Sequence, residues 1–178
     1  MTAMFDFVRL SRAPMLWGAL VWLVAVEVVA RTTYYYPSRS RADYAFQIPS
    51  GWTLEPQEEG PELQSPSGHI SVTFVTVRES QERALNLLVA ETELILGYEL
   101  QNPSVQEGGF QPLALEKLRG IQFKARGEGN DGQEKVMDFV IVSPKTRVWI
   151  LVHATSDVVA PRGEQAQLIQ LFDSLGPA

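Results

Sequence analysis

The chain of 178 residues contains no cysteine, which excludes disulfides, thiolate metal sites, a cysteine nucleophile and an acylated lipoprotein cysteine. Histidine is nearly absent as well. His69 and His153 stand alone, without the His and carboxylate spacing that a zinc or di-iron centre needs. Clustered Lys and Arg are also missing. Of 15 basic and 21 acidic residues, only Arg9, Arg12, Arg31, Asp6 and Glu27 lie in the first 36 positions, which leaves the remainder at a net charge of −7. Such a surface does not favour nucleic acid or anionic lipid. There is no Gly-rich phosphate loop, nucleophile elbow or paired catalytic motif, and neither an internal repeat nor a low-complexity block. No enzymatic reaction is therefore expected.

What the sequence does contain is an almost unbroken apolar run, Pro14 to Ala30, bounded by Ser11 and Arg12 on one side and Arg31 on the other. A bilayer core of about 30 Å needs roughly 20 helical residues. With Ala13, Thr32 and Thr33 the run reaches that length, and it reads as a transmembrane helix. Val28 and Ala30 suit the small-residue positions ahead of a secretory cleavage site, and an uncleaved signal anchor is the expectation carried forward. Arginines flank both ends in near-equal number, Arg9 and Arg12 against Arg31, Arg39 and Arg41. A short tail ahead of a long translocated domain puts the N-terminus in the cytoplasm and the C-terminal domain in the periplasm or lumen.

Within the run, Trp17 and Trp22 lie on different helix faces, and Trp22 sits near the middle rather than at an interfacial belt. Glu27 is its one ionisable group. It lies about 20 Å along the helix from Pro14, where it either contacts a partner helix or bound pigment or snorkels as an interfacial carboxylate. Tyr34, Tyr35 and Tyr36 read as the aromatic belt at the membrane interface, and Pro37 ends the helix. The expected divisions are a tail or interfacial segment at 1–12, the helix and belt at 13–36, a linker at 37–43 and an extramembrane domain at 44–178. About 140 residues suffice for one domain with its own core.

Strands are expected at Tyr44 to Ile48, His69 to Val77, a short one from Phe110 to Leu115, and a meander of Leu118 to Gly127, Gln133 to Val142 and Arg147 to Thr155. Asn130-Asp131-Gly132 is a hairpin turn, because Asn and Gly tolerate positive φ. The last strand is apolar on both faces, so it should be central or covered on both sides. His153 is then expected to be a satisfied structural histidine. Glu55, Glu58, Glu59 and Glu62 have no EF-hand spacing and read as a solvated loop. Helices are expected from Gln81 to Tyr98, capped by Ser80, and from Pro161 to Leu175. The fold class is α+β.

The order of these elements, with Phe-Gln-Ile-Pro-Ser-Gly-Trp at 46–52 and the final Leu-Phe-Asp-Ser-Leu at 171–175, resembles the PsbP-like family. Its members are the extrinsic photosystem II proteins and their bacterial and Ran-binding relatives. The resemblance covers about Tyr44 to Leu175. It implies an α/β/α sandwich around an antiparallel sheet, acting as a binding or accessory module, and here joined to its own membrane helix. The function expected is a non-catalytic accessory subunit that stabilises a larger membrane complex, a photosynthetic reaction-centre or light-harvesting assembly in particular. Its partners would be transmembrane and extramembrane subunits and the bilayer. No motif binds a cofactor, and Trp17, Trp22 and Glu27 leave only peripheral contact with bacteriochlorophyll, carotenoid or lipid. A membrane-tethered ligand-binding or chaperone-like domain is the alternative, and it requires an apolar pocket between sheet and helix.

Overall fold

The computed structural model of the chain describes residues 32–105 and 108–178. The expected contacts at Trp17, Trp22 and Glu27, the segment 1–12 and the apolar run all lie outside these residues. Among the described residues, no helix is long and apolar enough to cross a membrane.

The described residues begin with a hairpin, β1 (Thr32–Tyr36) and β2 (Tyr44–Ile48), paired antiparallel from Thr32 opposite Ile48 to Tyr36 opposite Tyr44. Two short strands, β3 (Thr53–Glu55) and β4 (Glu62–Gln64), lead into β5 (Ile70–Val77). Helix α1 (Gln81–Glu99) runs directly into β6 (Leu100–Val105). Then come β7 (Gln111–Ala114), β8 (Arg119–Gly129), β9 (Glu134–Lys145) and β10 (Val148–Asp157). Helix α2 (Arg162–Ser174) and the short β11 (Gly176–Pro177) close the domain.

The large sheet has eight strands in the order β3-β4-β5-β10-β9-β8-β6, with β7 also paired to β8. Its edges are blunted. Pro103 in β6 and Pro112 in β7 remove ladder donors, and β6 shifts register between Gln101 and Ser104. β10 is central, as its two apolar faces require, and period-two alternation divides it between two cores. Ile150, Val152 and Ala154 join Val140, Val142, Val72 and Phe74 under Leu168, Leu171 and Leu175. Leu151 joins Phe139, Ile141, Met137 and Phe123 under Leu88 and Leu96. The two helices therefore cover opposite faces of the sheet.

One outer layer differs from a plain α/β/α sandwich. There α2 shares the sheet face with a second, three-stranded sheet ordered β1-β2-β11. Aromatic rings join the two sheets: Phe74 of β5 lies 4.7 Å from Phe46 and 5.8 Å from Tyr44 of β2, both nearly parallel to it. The Gln47 amide donates to Ser174 Oγ (2.9 Å) and Trp52 Nε1 to Gln167 Oε1 (2.8 Å), which ties α2 to the same layer.

This small sheet corrects the expected boundaries. Residues 32–36 form a strand, and 37–43 is the turn of its hairpin rather than a free linker. The turn is anchored by the Asp43 carboxylate, which accepts from Arg78 (2.7 Å) with Lys145 3.7 Å away. The expected solvated loop after Glu55 is instead a hairpin, with Leu54 opposite Leu63 and Glu55 opposite Glu62.

Candidate functional site

Along β8, side chains alternate between the two faces of the sheet. Phe123 and Ala125 enter the core under α1, while Gln122, Lys124 and Arg126 point toward the α2 side. Helix α2 covers β9 and β10 but leaves this part of β8 open. The result is a trough between the helix and the sheet, made of two adjoining hollows of about 190 and 290 Å³. Leu113, Leu115, Val140, Leu168 and Phe172 line one end. Val136, Val158 and Ile169 line the other, where Ile169 is 61 % exposed.

Charge is placed at the middle and rim of this trough. Lys124 lies opposite Asp138 in the β8–β9 register, with Nζ 2.6 Å from Oδ1. Arg126, one pleat further, is exposed and has no ion pair among the described residues. A hollow of about 380 Å³ continues past Lys124 and Arg126 to Ser104 and Val105. The arrangement offers aliphatic walls beside a guanidinium, which suits an apolar ligand carrying an anionic group. Among the described residues no cluster of metal-ligating side chains occurs.

The two histidines occupy different environments. His69 stands just before β5, where Nδ1 bonds Asp157 Oδ2 at 2.7 Å. The neighbouring Ser67 does not complete a catalytic triad. Its hydroxyl donates to Glu164 Oε2 (2.5 Å) and accepts the His69 backbone N–H (3.2 Å), so the cluster pins the turn before β5 to the start of α2. Desolvation acts to raise the Glu164 pKa, but the hydrogen bonds from Ser67 and Ser65 and the nearby His69 outweigh it and hold it below the usual range.

His153 lies on the α1 side of β10, its ring stacked 6.0 Å from that of Phe139. Its Nδ1 is buried without a hydrogen-bond partner, so the expectation of a satisfied histidine is corrected. Desolvation pushes its pKa down to about 4. A neutral imidazole stacked on Phe139 beneath α1 contributes packing to that layer.

The tyrosines expected at a membrane interface sit in β1. Tyr36 is buried, stacks on Tyr44 with centroids 5.2 Å apart, and donates its hydroxyl to the Glu58 carbonyl (2.7 Å). It belongs to the core, which corrects its assignment to the belt. Tyr34 packs on Phe46 (5.4 Å). Tyr35 carries the Arg39 guanidinium 5.8 Å above its ring, a cation–π contact. The sequence allows a pocket between sheet and helix but does not locate one, because the lining comes from β7 to β10, the segments after β7 and β10, and α2, which no local pattern connects.

No family model and no curated protein matches the sequence. Solved structures do match in fold. LpqN, described as involved in cell envelope biogenesis of Mycobacterium tuberculosis, superposes with a TM-score of 0.59 at 10% identity, over 82% of this chain and 89% of its own. The cyanobacterial PsbP of Synechocystis sp. PCC 6803 gives 0.57 at 8% identity, over 90% of this chain and 100% of its own. A protein from Bacteroides thetaiotaomicron VPI-5482 gives 0.58 at 10% identity, over 82% of this chain, which spans only 48% of that longer protein. At such identities the likeness is one of fold, and the antiparallel sheet flanked by two helices is a PsbP-like fold.

Proposed function

We propose that this chain is a non-catalytic, membrane-anchored accessory subunit that stabilises a larger membrane protein complex. The observation that carries this reading is the junction at residue 31. The apolar run ends at Ala30 and β1 begins at Thr32, so a single residue separates the anchor from the folded sheet. A domain attached this closely cannot range far from the bilayer, and it suits a permanent place beside neighbouring subunits better than reversible docking. Trp17, Trp22 and Glu27 are assigned to contacts with partner helices or pigment, and the C-terminal domain to the periplasm or lumen. The described PsbP match makes a photosynthetic reaction-centre or light-harvesting assembly the specific candidate. Purification of the full chain in mild detergent, with an absorption spectrum of the eluate, tests this. Co-eluting membrane subunits are expected, reduced by Glu27→Leu; a partner-free, pigment-free chain would overturn it.

The trough beside α2 favours a second reading, a membrane-tethered domain that binds an amphiphilic ligand, and native mass spectrometry of the membrane-extracted chain tests it by looking for a retained small molecule.

A further inference from the structure

The outward side of α1 is apolar where a solvated helix would be polar. Ala84, Leu88, Thr92 and Leu96 face the core. On the opposite side stand Leu87, Leu94 and Tyr98, exposed by 50%, 69% and 77%. With 3.6 residues per turn, these three and Ala90 fall within an arc of roughly 80°. No described element covers them. Arg83 begins the same stripe, held only by a loose contact of 3.9 Å to Glu79.

The stripe is complementary to itself. A two-fold axis crossing α1 between residues 90 and 91 sets Leu87 against Leu94 of a second copy and Arg83 against Tyr98 of that copy. It also brings the exposed Asn86 near Glu93 of the second copy, an amide donor facing a carboxylate. Ala90 lies at the crossing, where a small side chain lets helix axes approach to about 8–10 Å. Apolar residues meet apolar ones, a cation meets an aromatic face, and the same patch serves both partners, as a two-fold interface requires. From this we infer that the exposed face of α1 is the contact through which two copies of the chain associate antiparallel.

Two consequences follow from the composition of the stripe. A single helix pair buries less than the roughly 1,200 Å² of a standard stable interface, so the association is weak between free domains and grows when copies share one bilayer, where effective concentration reaches about the millimolar range. The axis also brings Glu91 close to its own counterpart, a like-charge pair that opposes association.

The absence of cysteine makes the test direct. Ala90→Cys in the full chain, reconstituted in liposomes and oxidised, is expected to give a disulfide-linked dimer on a non-reducing gel. Ile169→Cys, also exposed but on α2, is expected to give none. Adding Leu94→Glu to Ala90→Cys should lower the dimer yield about tenfold, while Glu91→Gln should raise it. Circular dichroism and an unchanged thermal midpoint show that each variant is folded. A lack of cross-linking at position 90, equal yields at 90 and 169, or indifference to Leu94→Glu would each overturn the inference.

Discussion

The ring of His153 lies 6.0 Å from that of Phe139 and 23° from parallel to it, with Nδ1 buried and unbonded. Desolvation disfavours the imidazolium and lowers the folded-state pKa to about 4, against 6.5 for the unfolded chain. Between these values the unfolded state binds a proton that the folded state does not. The stability from the neutral ring is therefore complete above pH 6.5 and is lost as pH falls toward 4. Linkage puts the loss at about 2.5 kcal/mol by pH 4.5. His153→Phe, which keeps the stack and cannot titrate, should remove that part of the acid sensitivity. Urea denaturation at pH 7 and pH 4.5 measures it; equal losses in both proteins would show that His153 is not the group responsible.

Phe74 is the ring on which the small sheet rests, in contact with both Phe46 and Tyr44 and only 1 % exposed. Phe74→Ala would remove the partner of both rings and leave a cavity between the layers. The expected cost is about 3–5 kcal/mol. Because β1 and β2 lose their footing, protease cleavage should appear first in the 37–43 turn, and limited proteolysis with mass spectrometry would locate it. Cleavage beginning elsewhere would mean that α2, rather than the aromatic stack, holds the hairpin.

The meander and both helices were legible in the sequence for a physical reason: period-two apolar runs, an Asn-Asp-Gly turn and a long apolar helix leave few alternatives. The missed elements have signals that serve two purposes. Tyr34, Tyr35 and Tyr36 fit a membrane interface and a strand equally well, since a ring with a polar tip suits both, and only their pairing with β2 reveals the strand. Residues 55–66 look like a loop because their edge hairpin contributes few apolar side chains, chiefly Leu54 and Leu63. Helix α1 ends at Glu99, one residue past the expected Tyr98, but runs straight into the unforeseen β6, where Asn102 takes the positive φ of 47° that a bulge needs.

Gly120 shows how closely β8 and β9 are fitted near the mouth of the trough. A Cβ placed there would lie 2.1 Å from the Ile141 carbonyl oxygen and 2.7 Å from Val142 Cγ1. The first of these is backbone and cannot rotate away. Gly120→Ala should therefore separate the strands locally and destabilise the fold by about 1–3 kcal/mol, as overpacking does. Thermal melting gives the size of the effect, and hydrogen exchange should show loss of protection at Ile121 and Val142 before the β8–β9 turn. Uniform loss of protection would argue against a local fault.

Arg126 and the aliphatic walls beside it define what the trough should prefer. An exposed guanidinium without an ion partner among the described residues attracts an anion, and Val136, Val158 and Ile169 offer apolar surface next to it. A fluorescent naphthalene sulfonate combines both features and is a suitable probe. It should bind the native chain, with Arg126→Ala reducing affinity about tenfold through loss of one charge-assisted contact. Ile169→Glu should reduce it further by placing a carboxylate where the apolar body lies. Lys124→Ala should change affinity less, because Lys124 is already engaged by Asp138 at 2.6 Å. Titration by fluorescence at low and high salt separates the contributions, since the Arg126 effect should shrink as salt screens it while binding to the aliphatic walls should not. If Lys124→Ala proves the more damaging change, the ion pair opens on binding and the anion sits at the centre of the trough rather than at its rim.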